Sequence, residues 1–120
     1  MRVGGIIQLK VNGELHQCKG AFDYDLGIPK KEAVVGMDKV HGYKETPQVA
    51  YIEGTITDRG DISFEALAKI TGATVTLDLA NGKTIVLRDA FWATNAKGNS
   101  EEGEIEARFE SAKGPAEEVR

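Results

Sequence analysis

The side chains best suited to chemistry in this chain are His16, Cys18 and His41, with the carboxylates that recur along its strands. His16 and Cys18 lie two apart, so on a strand they share one face. His41 is distant in sequence. Structural zinc sites usually bring closely paired ligands from two knuckles or helices, so one close pair and one remote histidine point away from a metal. Cys18 reads instead as a small core residue, and no motif beside it supplies an activating base. The chain has no Gly-x-Ser-x-Gly elbow, no Gly-x-Gly-x-x-Gly and no Walker-type loop. Glu104 and Glu106 have ordinary strand spacing, whereas a glycosidase needs two carboxylates facing each other across a sugar. Lys30-Lys31 is the one adjacent basic pair. The expectation is a protein that is not an enzyme and uses no metal or cofactor.

Bulk properties narrow the class further. At 120 residues the chain has the size of one domain, and roughly 65% of its unfolded surface can be buried without a disulfide or metal staple. Fifteen basic and 19 acidic residues leave a formal charge of −4, which argues against a protein that binds nucleic acid by neutralising phosphates. No run of 18 apolar residues occurs, nor a signal-peptide core near Met1, so neither a membrane span nor secretion by that route is expected. A lone cysteine cannot form an internal disulfide and suits a reducing site of synthesis. Fourteen glycines punctuate short apolar segments, a β-rich plan.

The elements follow from periodicity. Ile7, Leu9 and Val11 alternate with Gln8 and Lys10, Asn12-Gly13 supplies a tight turn, and Glu14 to Lys19 returns as a hairpin partner. Gly20 to Ile28 alternates less cleanly and stops at Pro29. In Gln48 to Asp58, Ile52 and Ile56 form the apolar face, and Gly54 between them leaves room for something close. A helix is expected over 61–71: Asp61 or Ser63 caps it, Phe64, Leu67, Ala68 and Ile70 form its stripe, and Gly72 takes the left-handed position after it. Thr74 to Leu79 and Lys83 to Ala90 make a second hairpin around Asn81-Gly82. Gly103 to Ser111 alternates most cleanly, with Ile105, Ala107 and Phe109 inward. The plan is mainly β: a two-sheet β-sandwich or open barrel with one flanking α-helix, a single domain over 1–115, and a frayed tail at 116–120.

One stretch breaks the pattern. Within residues 29–47, Lys30 to Val35 reads as an extended piece containing the short apolar run Ala33-Val34-Val35, and regular periodicity is then lost from Gly36 to Pro47. A dozen aperiodic residues is long for a connection, typically about 4–6 residues, and Met37, Val40, His41 and Tyr43 make it too apolar for a linker. It reads either as a loop folded over its own domain or as an arm that docks on another subunit.

EAVVGMDKVHGYKETPQVAYIEGTITD (Glu32 to Asp58) resembles the central signature of the tail tube proteins of contractile, Mu-like bacteriophages. The similarity continues through the helix, through TVTLDLANGKTIVLRDAFWA (Thr74 to Ala93) and through EEGEIEARFE (Glu101 to Glu110). The resemblance implies a structural virion protein that assembles with itself into stacked, six-fold rings. These would form a tube inside a contractile sheath, made in the host cytoplasm, with tape-measure and baseplate or terminator proteins as further partners. DNA would pass through without specific binding. On that model Met37, Lys39, Val40, His41, Tyr43 and Lys44 are the candidate contacts between subunits or rings, with Val40 and Tyr43 as apolar anchors and Lys39 and Lys44 as rim charges. Glu53, Thr55, Thr57, Glu104, Glu106 and Glu110 are the candidate lumen positions, and Arg108 among them breaks a uniformly acidic face. By alternation alone these positions suit an outward solvated face equally well. Two other readings remain at this stage: a small monomeric β-sandwich module binding through the 36–47 loop, and the tube protein of a related injection or secretion device.

Overall fold

The computed structural model describes residues 8–36, 39–58 and 63–119. Strands β1 (Gln8–Val11) and β2 (Glu14–Asp25) form the first hairpin. Asn12 and Gly13 both take positive φ, 51° and 85°, as a two-residue hairpin turn demands. The amide side chain of Asn12 also accepts from the Thr74 N–H at 2.9 Å, tying this turn to β6 (Ala73–Asp78).

Beyond β6 the chain turns into β7 (Thr84–Trp92), while β5 (Tyr51–Thr57) lies between β2 and β9 (Glu104–Ser111). The order β7-β6-β1-β2-β5-β9 then closes on itself, because Ala90, Phe91 and Trp92 of β7 pair with Ser111, Glu110 and Phe109 of β9. The expected two-sheet sandwich or open barrel is therefore a closed six-stranded barrel. Alternation reports which side of a strand is buried, and it is the same in either architecture. Closure is helped by irregularities that bend the sheet, one in β2 between Lys19 and Asp23 and one where β6 meets β7.

Two short strands extend the seam. β8 (Gly98–Asn99) pairs with the start of β9, continuing the line of β7, and β10 (Glu117–Val119) pairs with Thr84–Val86, continuing the line of β9. The expectation of a frayed tail at 116–120 thus gives way to a strand over Glu117–Val119, held by the β7 ladder without being buried.

The barrel interior contains Leu9, Ile52, Ile56, Leu77, Ile85, Leu87, Ile105 and Phe109, all fully buried. Phe22, at the β2 irregularity, packs over Gly54. A Cβ on Gly54 would run into the phenylalanine ring, so the close neighbour expected there is an aromatic side chain.

Helix α1 (Phe64–Ala68) covers one side of the barrel through Leu67, with Phe64 and Ile70 half-buried beside it. It is shorter than the expected 61–71, and Asp61 lies outside the described residues. Ser63 is the cap, its hydroxyl accepting from the Ala66 N–H at 3.2 Å. At the other end the chain tightens: Lys69 and Ile70 bond back only three residues, and the Ile70 carbonyl is taken by the Trp92 N–H.

Candidate functional site: an exposed arm and an acidic sheet face

Residues 30–46, expected to run from a short extended piece into an aperiodic loop, form a second antiparallel hairpin of β3 (Lys30–Val35) and β4 (Val40–Thr46). The described side chains of this arm are almost all exposed; Glu32 and Gly36 are partly covered and none is buried. The protein is accordingly elongated, 62 × 36 × 25 Å, with a radius of gyration of 17.2 Å, against about 14 Å for a compact chain of this length.

Pairing register sorts the arm into two faces. Ala33 sits opposite Tyr43 and Lys31 opposite Glu45, with the Lys31 ammonium 5.3 Å from the centre of the Tyr43 ring. The other face carries Lys30, Glu32 and Val34 opposite Thr46, Lys44 and Gly42. Tyr43, 60% exposed, and Lys44 thus point in opposite directions, so they do not form an anchor and its rim on one patch. Lys39 is exposed at the tip, where its carbonyl accepts from the Gly36 N–H at 2.8 Å. Met37 lies outside the described residues, as do the side chains of Val40 and His41, although both belong to β4.

The six candidate lumen residues come together. Glu53, Thr55 and Thr57 of β5 stand on the outer face of the sheet beside Glu104, Glu106 and Glu110 of β9; Thr57 is opposite Glu104 and Thr55 opposite Glu106. Their alternate neighbours Ile52, Ile56, Ile105 and Phe109 are buried in the barrel, which fixes the outward direction. Arg108 occupies the middle of this face. It donates through Nε to Glu110 at 2.8 Å and through Nη1 to Glu53 at 2.9 Å, and its guanidinium lies 4.0 Å from the centre of the Tyr51 ring. Partial burial opposes its charge, but the hydrogen bonds and attraction of Glu110 and Glu53 outweigh it and hold its pKa above the ordinary arginine value.

Sequence reasoning missed four members of this face. Tyr51 lies opposite Glu110, Asp25 opposite Tyr51, Asp23 opposite Glu53, and Lys19 opposite Thr55, with the lysine ammonium 3.3 Å from Glu104. Tyr51 was visible on the β5 alternation. Asp23, Asp25 and Lys19 were not, because the β2 irregularity falls between Lys19 and Asp23 and shifts its register against β5. The face then holds six carboxylates (Asp23, Asp25, Glu53, Glu104, Glu106, Glu110) against two cations, a formal −4.

His16 is buried, with Nε2 3.1 Å from a Glu14 carboxylate oxygen, and Cys18 is half-buried on the same strand. Among the described residues no three His, Cys, Asp or Glu side chains converge in a way that would hold a metal ion, and no helix is long and apolar enough to cross a membrane.

The family model for phage tail tube proteins matches residues 1–115. The chain belongs to the tail tube protein family. Its similarity extends to the tail tube protein of Escherichia phage Mu, with 32% identity over 102 residues, 84% of this chain and 83% of the relative. The closed barrel, the arm and the acidic face are therefore features of a tail tube structural subunit.

Proposed function

We propose that this tail tube subunit assembles with itself into six-membered rings that stack into the inner tube of a contractile tail. The tube would conduct DNA as part of the virion, with sheath, tape-measure and baseplate or terminator proteins as its partners. The observation that carries this reading is the arm. A two-stranded hairpin is marginally stable by itself in water, and this one carries Val34, Val35 and Tyr43 exposed, with none of its described side chains buried. Another copy of the subunit supplies the missing contacts. Repeated joints of this kind need on the order of 2,000 Å² to be durable.

The β2–β5–β9 face lines the bore on this reading. At a formal −4 per subunit, a ring of six presents about −24 to a duplex carrying one phosphate charge per roughly 1.7 Å. At physiological salt the repulsion extends about 8 Å from the wall. It keeps DNA from adhering without holding it at a distance. Arg108 and Lys19 keep the wall's own carboxylates from repelling one another strongly.

Negative-stain imaging of the concentrated protein tests the assembly, with rings or tubes as the expected result. A sharp monomer near 13.0 kDa at every concentration would overturn it. Tyr43→Asp should abolish tube growth while leaving the monomer folded, because Tyr43 is exposed in the single subunit. Unchanged tube yield would remove the Tyr43 face from the joint.

A further inference from the structure

The arm's two legs leave the barrel side by side. Leu26, Gly27 and Ile28 lead out of β2, and Gln48, Val49 and Ala50 lead back into β5. They touch without a side chain between them at Gly27: a Cβ there would lie 2.5 Å from the Ala50 nitrogen, and φ is 71°. The Gly27 N–H is further held by the Asp25 carboxylate at 2.8 Å. The root is thus narrow, and by itself it leaves the direction of a long hairpin to the torsions of two peptide legs.

A third stretch of chain crosses both legs. Ser111 N–H donates to the Ala50 carbonyl at 3.0 Å, and Ala116 N–H donates to the Leu26 carbonyl at 2.8 Å. Ala116 also packs against the core. The same stretch is fastened to β7. The Ser111 hydroxyl donates to the Arg88 carbonyl at 2.8 Å, and the Ala112 N–H to the Asp89 carbonyl at 3.0 Å. Past it, the Arg88 guanidinium grips the Glu117 carboxylate through Nε at 3.1 Å and Nη2 at 3.3 Å, and Lys83 lies 3.6 Å from Glu118. Arg88 holds the stretch at both ends, by its main chain and by its side chain.

We propose that residues 111–119 are a clamp that sets the direction of the arm, with the Arg88–Glu117 pair as its latch. Ordering the hairpin before it meets a partner removes that part of the entropy cost from association. The clamp belongs to the single subunit; only its use, in presenting the arm to a second copy in one orientation, rests on the tube reading. An exposed ion pair such as the latch is worth up to about fivefold in the ratio of clamped to released subunits. The Ala116–Leu26 bond adds to this, since its loss strips a partner from the Leu26 carbonyl.

Pulsed electron spin resonance on dilute full-length protein measures the arm's direction. Spin labels go at Val35→Cys on the arm and Gln17→Cys on β2, both exposed, in a Cys18→Ser background. The parent should give one narrow distance distribution. Arg88→Glu should broaden it, Arg88→Glu with Glu117→Arg should narrow it again, and Ala116→Pro, which deletes the donor to Leu26, should broaden it most. Each variant is checked for cooperative unfolding. A broad parent distribution, or folded Arg88→Glu protein with an unchanged distribution, overturns the clamp; failure of the charge exchange to restore the narrow distribution removes the latch. If the parent never forms tubes, the assembly reading fails while the distances still decide the clamp.

Discussion

Replacing Arg108 by glutamine tests how the acidic face is held together. The guanidinium makes a 2.8 Å contact with Glu110, a 2.9 Å contact with Glu53, and a stacking contact with Tyr51. The side chains of Arg108 and Glu110 are 27% and 24% exposed and that of Glu53 is 46% exposed, so solvent screens the second pair more than the first. Assigning about 1 kcal/mol to the Glu110 pair, about 0.5 to the Glu53 pair and about 0.5–1 to the ring contact gives a loss of roughly 2 kcal/mol. Unpaired carboxylates left on neighbouring strands add a few tenths more. Trp92, the chain's single tryptophan, packs edge-on to Phe109 at 5.4 Å and reports unfolding. With a urea slope of about 1.5 kcal/mol/M, the midpoint of the dilute protein should fall by about 1.3 M. Arg108→Lys should recover less than half of this, because an ammonium cannot serve both carboxylates in a planar fork. A loss below about 0.5 kcal/mol for Arg108→Gln would show that the three contacts are geometric coincidences of a solvated surface.

Three further outcomes follow from particular contacts. Gly54→Val should destabilise the barrel by about 2–4 kcal/mol in thermal or chemical melts by evicting Phe22, and should be nearly neutral in a Phe22→Ala background; equal costs in both backgrounds would refute the packing argument. Burial pushes the Cys18 thiol up to about 11, against a weaker lowering by the Leu9 backbone. Ellman's reagent at pH 8 should therefore react about a hundredfold more slowly than with a free thiol, and a rate near the free-thiol value would contradict this. The Arg88 hydrogen bond, then its charge, holds the Glu117 pKa below the ordinary 4.5, so its contribution to β10 pairing is present above that value and is lost as pH falls through the lower folded value. Nuclear magnetic resonance shifts of Glu117–Val119 should report release at the acid end of a titration, and Arg88→Gln should remove that pH dependence.

Much of the barrel was legible because its strands each bury one face. The positions read as inward on β5 and β9, including Ile52, Ile56, Ile105 and Phe109, are the buried ones, and the outward positions formed a common patch without any knowledge of register. The turns were legible in kind and less so in detail. Asn12 takes positive φ, as an Asn-Gly hairpin turn predicts, whereas at Asn81-Gly82 only the glycine does, because Leu79 bonds Lys83 and the loop is one residue longer. Closure of the barrel was not legible: it depends on Trp92 meeting Phe109 across residues that form another strand and turn, and no local pattern encodes that choice. Strand β10 escaped for a related reason, since Glu117, Glu118 and Val119 are all exposed and leave no apolar period to detect.

The arm is the informative failure. Ala33 and Tyr43 face one way and Val34 the other, with lysines and glutamates on both faces, so the period-two signal cancels. A strand pair patterned in this way has no single buried side within its own subunit. Local backbone preference for an extended chain and the lack of an intramolecular apolar face conflict only if the subunit is the finished structure. The conflict disappears if the arm's faces are covered by another copy, as the proposed assembly requires. On the proposed assembly, the loss of periodicity between Gly36 and Pro47 is what an interface between copies would leave in the sequence, and it falls on the hairpin of β3 and β4.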